Sequence, residues 1–81
     1  METFSLSIIT PSNHTTLTVE WVEVQSPTGS FFVGPQHSPL VSLLKKNSSL
    51  LYKVTGEQPS SVAVTGGVLS IKNNAVLALI D

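Results

Sequence analysis

The side chains in this sequence that could support catalysis are few and widely separated. His14, His37 and the final residue Asp81 could join one of the many serines in a hydrolytic triad. The chain has no Gly-x-Ser-x-Gly motif, which in one large class of hydrolases holds the nucleophile on a sharp turn. We therefore expect no catalytic residue and a protein that is not an enzyme.

Metal and phosphate sites have equally little support. The chain has no cysteine, and its two histidines do not have the short spacing of zinc ligands. The pair Gly66-Gly67 lacks the Lys-Ser/Thr pair and the following helix of a phosphate-binding loop. We interpret this pair as a bend or a close approach of two strands, and we expect neither a metal nor a cofactor.

Length and charge restrict the remaining possibilities. The chain has 81 residues, which is enough for one domain covering 1–81. It carries four lysines, no arginine and a net charge of −1, which argues against nucleic-acid binding. The longest apolar run, Ala75–Ile80, is far shorter than the ~20 residues of a membrane helix. The N-terminus has no basic segment, so we expect no signal peptide and a cytoplasmic compartment.

The hydrophobic pattern of the sequence has a period of two residues, which determines the secondary structure that would hold any site. Apolar and polar residues alternate in four segments, which are Phe4–Ile8, Leu17–Trp21, Leu50–Val54 and Val62–Val64. This pattern is typical of half-buried strands, and turn-forming residues separate the segments. The sequence therefore predicts an all-β fold, an antiparallel β-sandwich of two packed sheets. The predicted core includes Leu6, Ile8, Val19, Val64, Leu69 and Val76.

The phase of the alternation changes within one segment. Leu17, Val19 and Trp21 share one face, whereas Val22 and Val24 share the other. A β-bulge, or a strand that passes from one sheet to the other, would produce this change, and both favour a sandwich over a flat sheet.

The segment 29–40 combines glycines, prolines and neighbouring phenylalanines. Phe31 and Phe32 are adjacent, so they cannot both face the same side of a strand. One interpretation is a core strand with one residue buried from both sides. The other is an apolar contact patch for a protein partner. The following residues, 38–46, are predicted to be extended.

Three motifs follow one another at a specific separation. The first is Leu6–Pro11, with the sequence LSIITP, and the second is Pro35–Leu40, with the sequence PQHSPL. The third is TGGVLSI at Thr65–Ile71, followed by an Asn-Asn turn and an apolar strand that ends in Asp81. In this order the chain resembles the N-terminal β-sandwich domain of the epsilon subunit of F-type ATP synthases, which is called delta in mitochondria.

The chain departs from that family pattern at turns. Phe32 and Gln36 stand where the family has glycine, and Lys46-Asn47 replaces a Pro-Gly turn. The family's second domain, a helical hairpin linked to ATP binding and to inhibition of hydrolysis, does not follow Asp81. The resemblance is therefore to short epsilon forms that lack this hairpin or to one piece of a longer chain, and we expect these 81 residues not to bind ATP.

The resemblance implies a non-catalytic rotor subunit in the central stalk, with the gamma subunit and the c-ring as partners. It implies a peripheral position at the cytoplasmic face of the bacterial inner membrane, with membrane contact only through the complex. The turn Gly29, Ser30, Phe31 and Phe32 would face the c-subunit loops, with His37 near the same end. Gamma contacts would come from exposed apolar residues of one sheet, which the sequence does not identify.

The alternative is an unrelated small β-sandwich module that binds proteins or carbohydrates. Carbohydrate sites use exposed aromatic platforms beside polar groups. The only Trp and the only Tyr both lie in apolar phases of predicted strands. The position of these rings in the fold therefore distinguishes the two hypotheses.

Overall fold

The computed structural model describes residues 2–81 and contains eight β-strands, with no helix among those residues. This confirms the predicted all-β class. The strands are β1 (Phe4–Thr10), β2 (Asn13–Ser26), β3 (Gly29–Val33), β4 (Leu40–Leu44), β5 (Ser48–Val54), β6 (Ser60–Val64), β7 (Gly67–Lys72) and β8 (Ala75–Ile80). Accordingly, no helix within the described residues has the length and apolar character needed to cross a bilayer.

The strands form two layers that share β2. The first layer has the order β4-β7-β8-β1 and ends in the N-terminal part of β2. The second layer consists of β3, the C-terminal part of β2, β5 and β6. The sandwich is therefore confirmed, but its two layers belong to one curled sheet because β2 runs through both.

One strand pair corrects the prediction of a wholly antiparallel fold. β1 and β8 run parallel, whereas every other pair in residues 2–81 is antiparallel. Antiparallel neighbours here are mostly joined by short turns, but β1 and β8 lie at the two ends of the chain. No tight connection therefore fixes their relative direction.

The phase change predicted in β2 is present as a break in register. The pairing of β2 with β5 shifts between Val19 and Trp21, which leaves Glu20 as the additional residue. Val19 and Val22 are both fully buried, so the inward-facing set changes phase at this point. The placement of Trp21 on the same face as Val19 was wrong, because the bulge turns this ring away from the core.

The core lies between the two layers and includes all six residues predicted to be buried. Each is at most 7% exposed, and the whole domain exposes 4770 Å². Residues from both layers meet in one apolar cluster, for example Leu69 of β7 and Leu50 of β5. With a core this small, each fully buried side chain makes a large contribution to stability.

Truncating a fully buried core side chain should be costly. Leu69 is inaccessible to solvent, so Leu69→Ala should lower the free energy of unfolding by about 2–5 kcal/mol. Leu43→Ala is the matched control, because Leu43 is largely exposed on the neighbouring strand and should change stability by less than about 1 kcal/mol. Urea denaturation of both variants measures the difference, and equal midpoints would contradict this placement of the core.

Two turns hold polar residues at positions where the family resemblance implies glycine. Gln36 and Asn47 have φ values of 62° and 56°, so they adopt the left-handed backbone that glycine favours. Asn73 and Asn74, at 53° and 60°, form the tight β7–β8 hairpin that the sequence predicted. Polar side chains that tolerate this conformation therefore preserve the turns.

Candidate partner-binding surfaces

The β2–β3 turn is an ordered, exposed feature at one end of the sandwich. Ser26 is buried, and its hydroxyl donates a hydrogen bond of 2.7 Å to the carbonyl of Gly29. Gly29 has a φ of 144°, which L-residues rarely adopt, and no atom lies near the position of a β-carbon there. Gly29 and Ser30 are both exposed. The turn therefore presents a fixed backbone and a small neutral side chain.

The two phenylalanines that follow face opposite sides of β3. Phe31 is half-buried and packs against the core, whereas Phe32 is 63% exposed. Phe31 thus belongs to the core, and Phe32 belongs to the surface. The ring of Phe32 lies edge-on to that of Trp21, with centroids 5.6 Å apart and an interplanar angle of 74°.

His37 does not lie near the Ser30 end, which corrects the sequence-based placement. The loop before β4 is held against the β7–β8 hairpin, because the backbone N–H of Gln36 donates to Asn74 Oδ1 at 2.8 Å. The Ser30 end lies instead beside the end of β4, where the N–H of Lys45 donates to the carbonyl of Gln25 at 2.9 Å. A five-residue strand separates the two ends by about 13 Å.

An apolar face lies on the outside of β4, β7 and β8. Leu43, Val68 and Leu79 lie opposite one another in register across the three strands. Val41 and Leu43 are 71% and 62% exposed, and Val68 and Leu79 are also exposed. We call these four residues, Val41, Leu43, Val68 and Leu79, the apolar face.

The apolar composition of two strands is the sequence signal for the apolar face. β8 is apolar throughout Ala75–Ile80, and four of the five residues of β4 are apolar. Both strands therefore carry apolar side chains on both sides, although only one side faces the core. Such a strand in a thin sandwich indicates a second buried surface supplied by a partner.

An apolar groove of about 520 Å³ joins the apolar face to the turn end. Leu43 and Val68 belong to both the groove and the apolar face, while Pro27 of the β2–β3 turn lines the other side. The remaining lining residues are Leu44, Lys46, Gly66, Gly67 and Asp81. The apolar face and the turn are thus one continuous surface that extends around the end of the domain.

His37 and Asp81, two of the side chains considered for a hydrolytic triad, lie at opposite ends of the domain. His37 lies with the β7–β8 hairpin, whereas Asp81 lies at the other end, where its N–H donates to the carbonyl of Gly66 at 3.0 Å. Within residues 2–81, no group of three metal-ligating side chains comes together. The prominent surface features of this β-sandwich domain are the apolar face, the groove and the turn.

Comparison with known proteins identifies the family. The sequence model of one protein family, described as the ATP synthase delta/epsilon chain, β-sandwich domain, matches residues 3–81. The chain therefore belongs to the ATP synthase delta/epsilon family. This membership overturns the alternative of an unrelated binding module.

The relatives agree with this assignment. The chain is similar to the ATP synthase epsilon chain of Xanthomonas campestris, with 32% identity over 53 residues. That match covers 65% of this chain and 37% of the relative, so it spans well under half the length of that protein.

Solved structures share the fold at low sequence identity. A chain of the Euglena gracilis mitochondrial ATP synthase has a TM-score of 0.88 and 15% identity, covering 96% of this chain and 50% of that one. A chain of the Tetrahymena thermophila mitochondrial ATP synthase central stalk and c-ring structure has a TM-score of 0.81 and 13% identity, covering 94% and 61%.

Proposed function

We propose that this chain is a non-catalytic subunit of the rotor of an F-type ATP synthase, where it couples ion-driven rotation to ATP synthesis in other subunits. The family match over residues 3–81 is the observation that carries the proposal. A coupling subunit must transmit torque without deforming. The continuous hydrogen-bonded sheet, with its register fixed by β2, provides such stiffness.

The apolar face is the proposed contact with the gamma subunit. Leaving Val41 and Leu43 in water is unfavourable, and burying their exposed area against a partner would recover roughly 25 cal/mol per Å² of apolar surface. The centre of this face carries no charge, so a partner of matching shape meets no desolvation penalty from ionised groups.

The β2–β3 turn is the proposed contact with the c-ring. Gly29 and Ser30 are exposed at one end of the domain, and the groove connects this end to the apolar face. The domain can thus contact a shaft along one side and a ring at its end. Phe31 contributes by anchoring the turn to the core, Phe32 lies two residues from Ser30 on the same side of β3, and His37 lies at the opposite end of the domain.

The proposed location follows from these partners. A subunit held between the gamma subunit and the c-ring is peripheral to the membrane and touches it only through the complex. Similarity to an epsilon chain from Xanthomonas campestris, a bacterium, supports the cytoplasmic face of the inner membrane.

Adding bulk at Ser30 tests the turn contact. Ser30→Tyr should lower proton-driven ATP synthesis by the assembled complex at least about fivefold, because the ring of tyrosine has no space in a close backbone contact. Ser30→Lys should act in the same direction unless an acidic group on the partner accepts it. The melting temperature of the free domain should not change, since Ser30 is exposed.

Gln58→Tyr provides the control for added bulk. Gln58 is exposed in the connection between β5 and β6, at the opposite end of the sandwich from Ser30. This variant should synthesise ATP at the wild-type rate. If Ser30→Tyr does so as well, the β2–β3 turn is not the ring contact.

A further inference from the structure

The outer surface of the second layer carries an aromatic pair beside a carboxylate. The bulge at Glu20 turns Trp21 outward, where its ring packs edge-on against the exposed ring of Phe32. Glu23 lies directly opposite Phe32 in register and shares its side of the sheet. On its other side Glu23 lies opposite Leu51 of β5. We call Trp21, Glu23, Phe32 and Leu51 the aromatic patch.

Glu23 supplies the negative charge of the aromatic patch. The ion pair of this layer joins Lys53 Nζ to Glu20 Oε1 at 3.8 Å and does not include Glu23. Among residues 2–81, Glu23 forms no salt bridge. Residues directly opposite in a sheet have β-carbons about 5 Å apart, so the side chains of Glu23 and Phe32 are neighbours. Lys53 lies opposite Trp21 on the same side of the sheet and is paired with Glu20, so the charge of Glu23 is the one left without an ion-pair partner beside the aromatic rings.

A second copy of this chain would fit the patch poorly. Face-to-face pairing about a two-fold axis would bring two Glu23 carboxylates together, and each chain already has a net charge of −1. Like charges that are desolvated together oppose association. An occupant with positive charge is complementary instead.

We propose that the aromatic patch binds an arginine side chain presented among apolar residues on a segment of a partner protein. A guanidinium group stacks on an aromatic face and donates paired hydrogen bonds to a carboxylate, and Trp21, Phe32 and Glu23 place these groups together. Leu51 offers apolar contact to the neighbouring residues of the segment. Arginine is preferred over lysine because its planar head satisfies both interactions at once.

This site is separate from the apolar face and adjoins the β2–β3 turn, since Phe32 is two residues from Ser30 on the same side of β3. The aromatic patch lies on β2, β3 and β5, whereas the apolar face lies on β4, β7 and β8 of the other layer. Binding at the patch can therefore be tested whether or not the chain acts in a rotor.

Trp21 is the only tryptophan, so its fluorescence reports binding directly. The probe is the peptide N-acetyl-Leu-Arg-Leu-amide, titrated to about 20 mM, and the control probe contains citrulline, the uncharged isostere of arginine. The arginine peptide should produce a saturable change in Trp21 emission and bind at least about fivefold more tightly than the citrulline peptide. The difference should shrink with added salt.

Variants assign the effect to the patch. Glu23→Gln should lower the affinity for the arginine peptide at least about fivefold and leave the affinity for the citrulline peptide unchanged. Phe32→Gly should weaken both peptides, since the stacking ring is lost. Glu57→Gln is the control, because Glu57 is exposed in the turn between β5 and β6 and should have no effect.

Three results would overturn the proposal. One is the absence of any saturable change in Trp21 emission with the arginine peptide. Another is equal affinity for the arginine and citrulline peptides. The third is wild-type affinity in both Glu23→Gln and Phe32→Gly. Amide chemical shifts of the labelled domain confirm that each variant is folded before its affinity is compared.

Discussion

Leu43→Asp should weaken binding of this domain to the gamma subunit at least about a hundredfold while leaving the domain folded. Leu43 is 62% exposed and lies in the middle of the apolar face, between Val41 along the strand and Val68 across it. A partner that covers this face would desolvate the new carboxylate without pairing it, which costs several kcal/mol. Since 1.4 kcal/mol is a tenfold change in affinity, the expected loss is large.

The matched control is Ala63→Asp. Ala63 is exposed on β6 of the second layer and is not part of the aromatic patch. This substitution introduces the same charge at an exposed apolar position, so any general effect of charge appears in both variants. Isothermal titration of each variant with purified gamma subunit provides the measurement. If the two variants lose affinity equally, or if neither does, the apolar face is not the gamma contact.

The sequence predicted the apolar core well because strand periodicity depends on local burial alone. Leu6, Ile8 and Val76 occupy inward positions of strands whose alternation or apolar character is strong. The same analysis was wrong at Trp21. A break in register can fall anywhere between Val19 and Val22, because tryptophan is apolar in either phase. Only the pairing of β2 with β5 decides the position of the bulge.

Relative positions of distant segments were harder to predict. The family resemblance implied that Ser30 and His37 share one end of the sandwich. β3 lies between them, and a short strand is enough to place them at opposite ends. The direction of β8 beside β1 is a similar case, since no short connection links them. Both features depend on tertiary pairing, which hydrophobic periodicity does not encode.

The family resemblance implied partners, which periodicity does not encode, and the structure offers candidate residues for the gamma contact that the resemblance left unnamed. The gamma contact was expected on exposed apolar residues of one sheet. The outward side chains of β4, β7 and β8 meet that description, and Leu43, Val68 and Leu79 form one row across them. An apolar side chain on the outer face of a two-layer fold is therefore the most useful pointer to a partner in this chain.

Gly67→Ala should produce a large loss of stability, because a β-carbon has no space at this position. Gly67 begins β7 and pairs with both Leu44 and Ile80. A β-carbon there would overlap the backbone carbonyl oxygen of Leu79 and would approach Ile80 Cα to 3.1 Å. These are backbone atoms, so a side-chain rotation cannot relieve the overlap, and β7 must separate from β8. The expected loss is roughly 4 kcal/mol or more, from strain and overpacking together.

Gly29→Ala separates the two causes of this loss. Gly29 has a φ of 144°, close to the 139° of Gly67, but nothing lies within 4 Å of its β-carbon position. The control variant therefore bears the cost of the unfavourable backbone angle, about 1–3 kcal/mol, without the steric overlap. Urea denaturation of both variants gives the steric contribution as the difference between their free energies of unfolding. Equal losses would mean that the backbone angle alone requires glycine at position 67. The close approach of β7 to β8 would then add nothing to the loss of stability in Gly67→Ala.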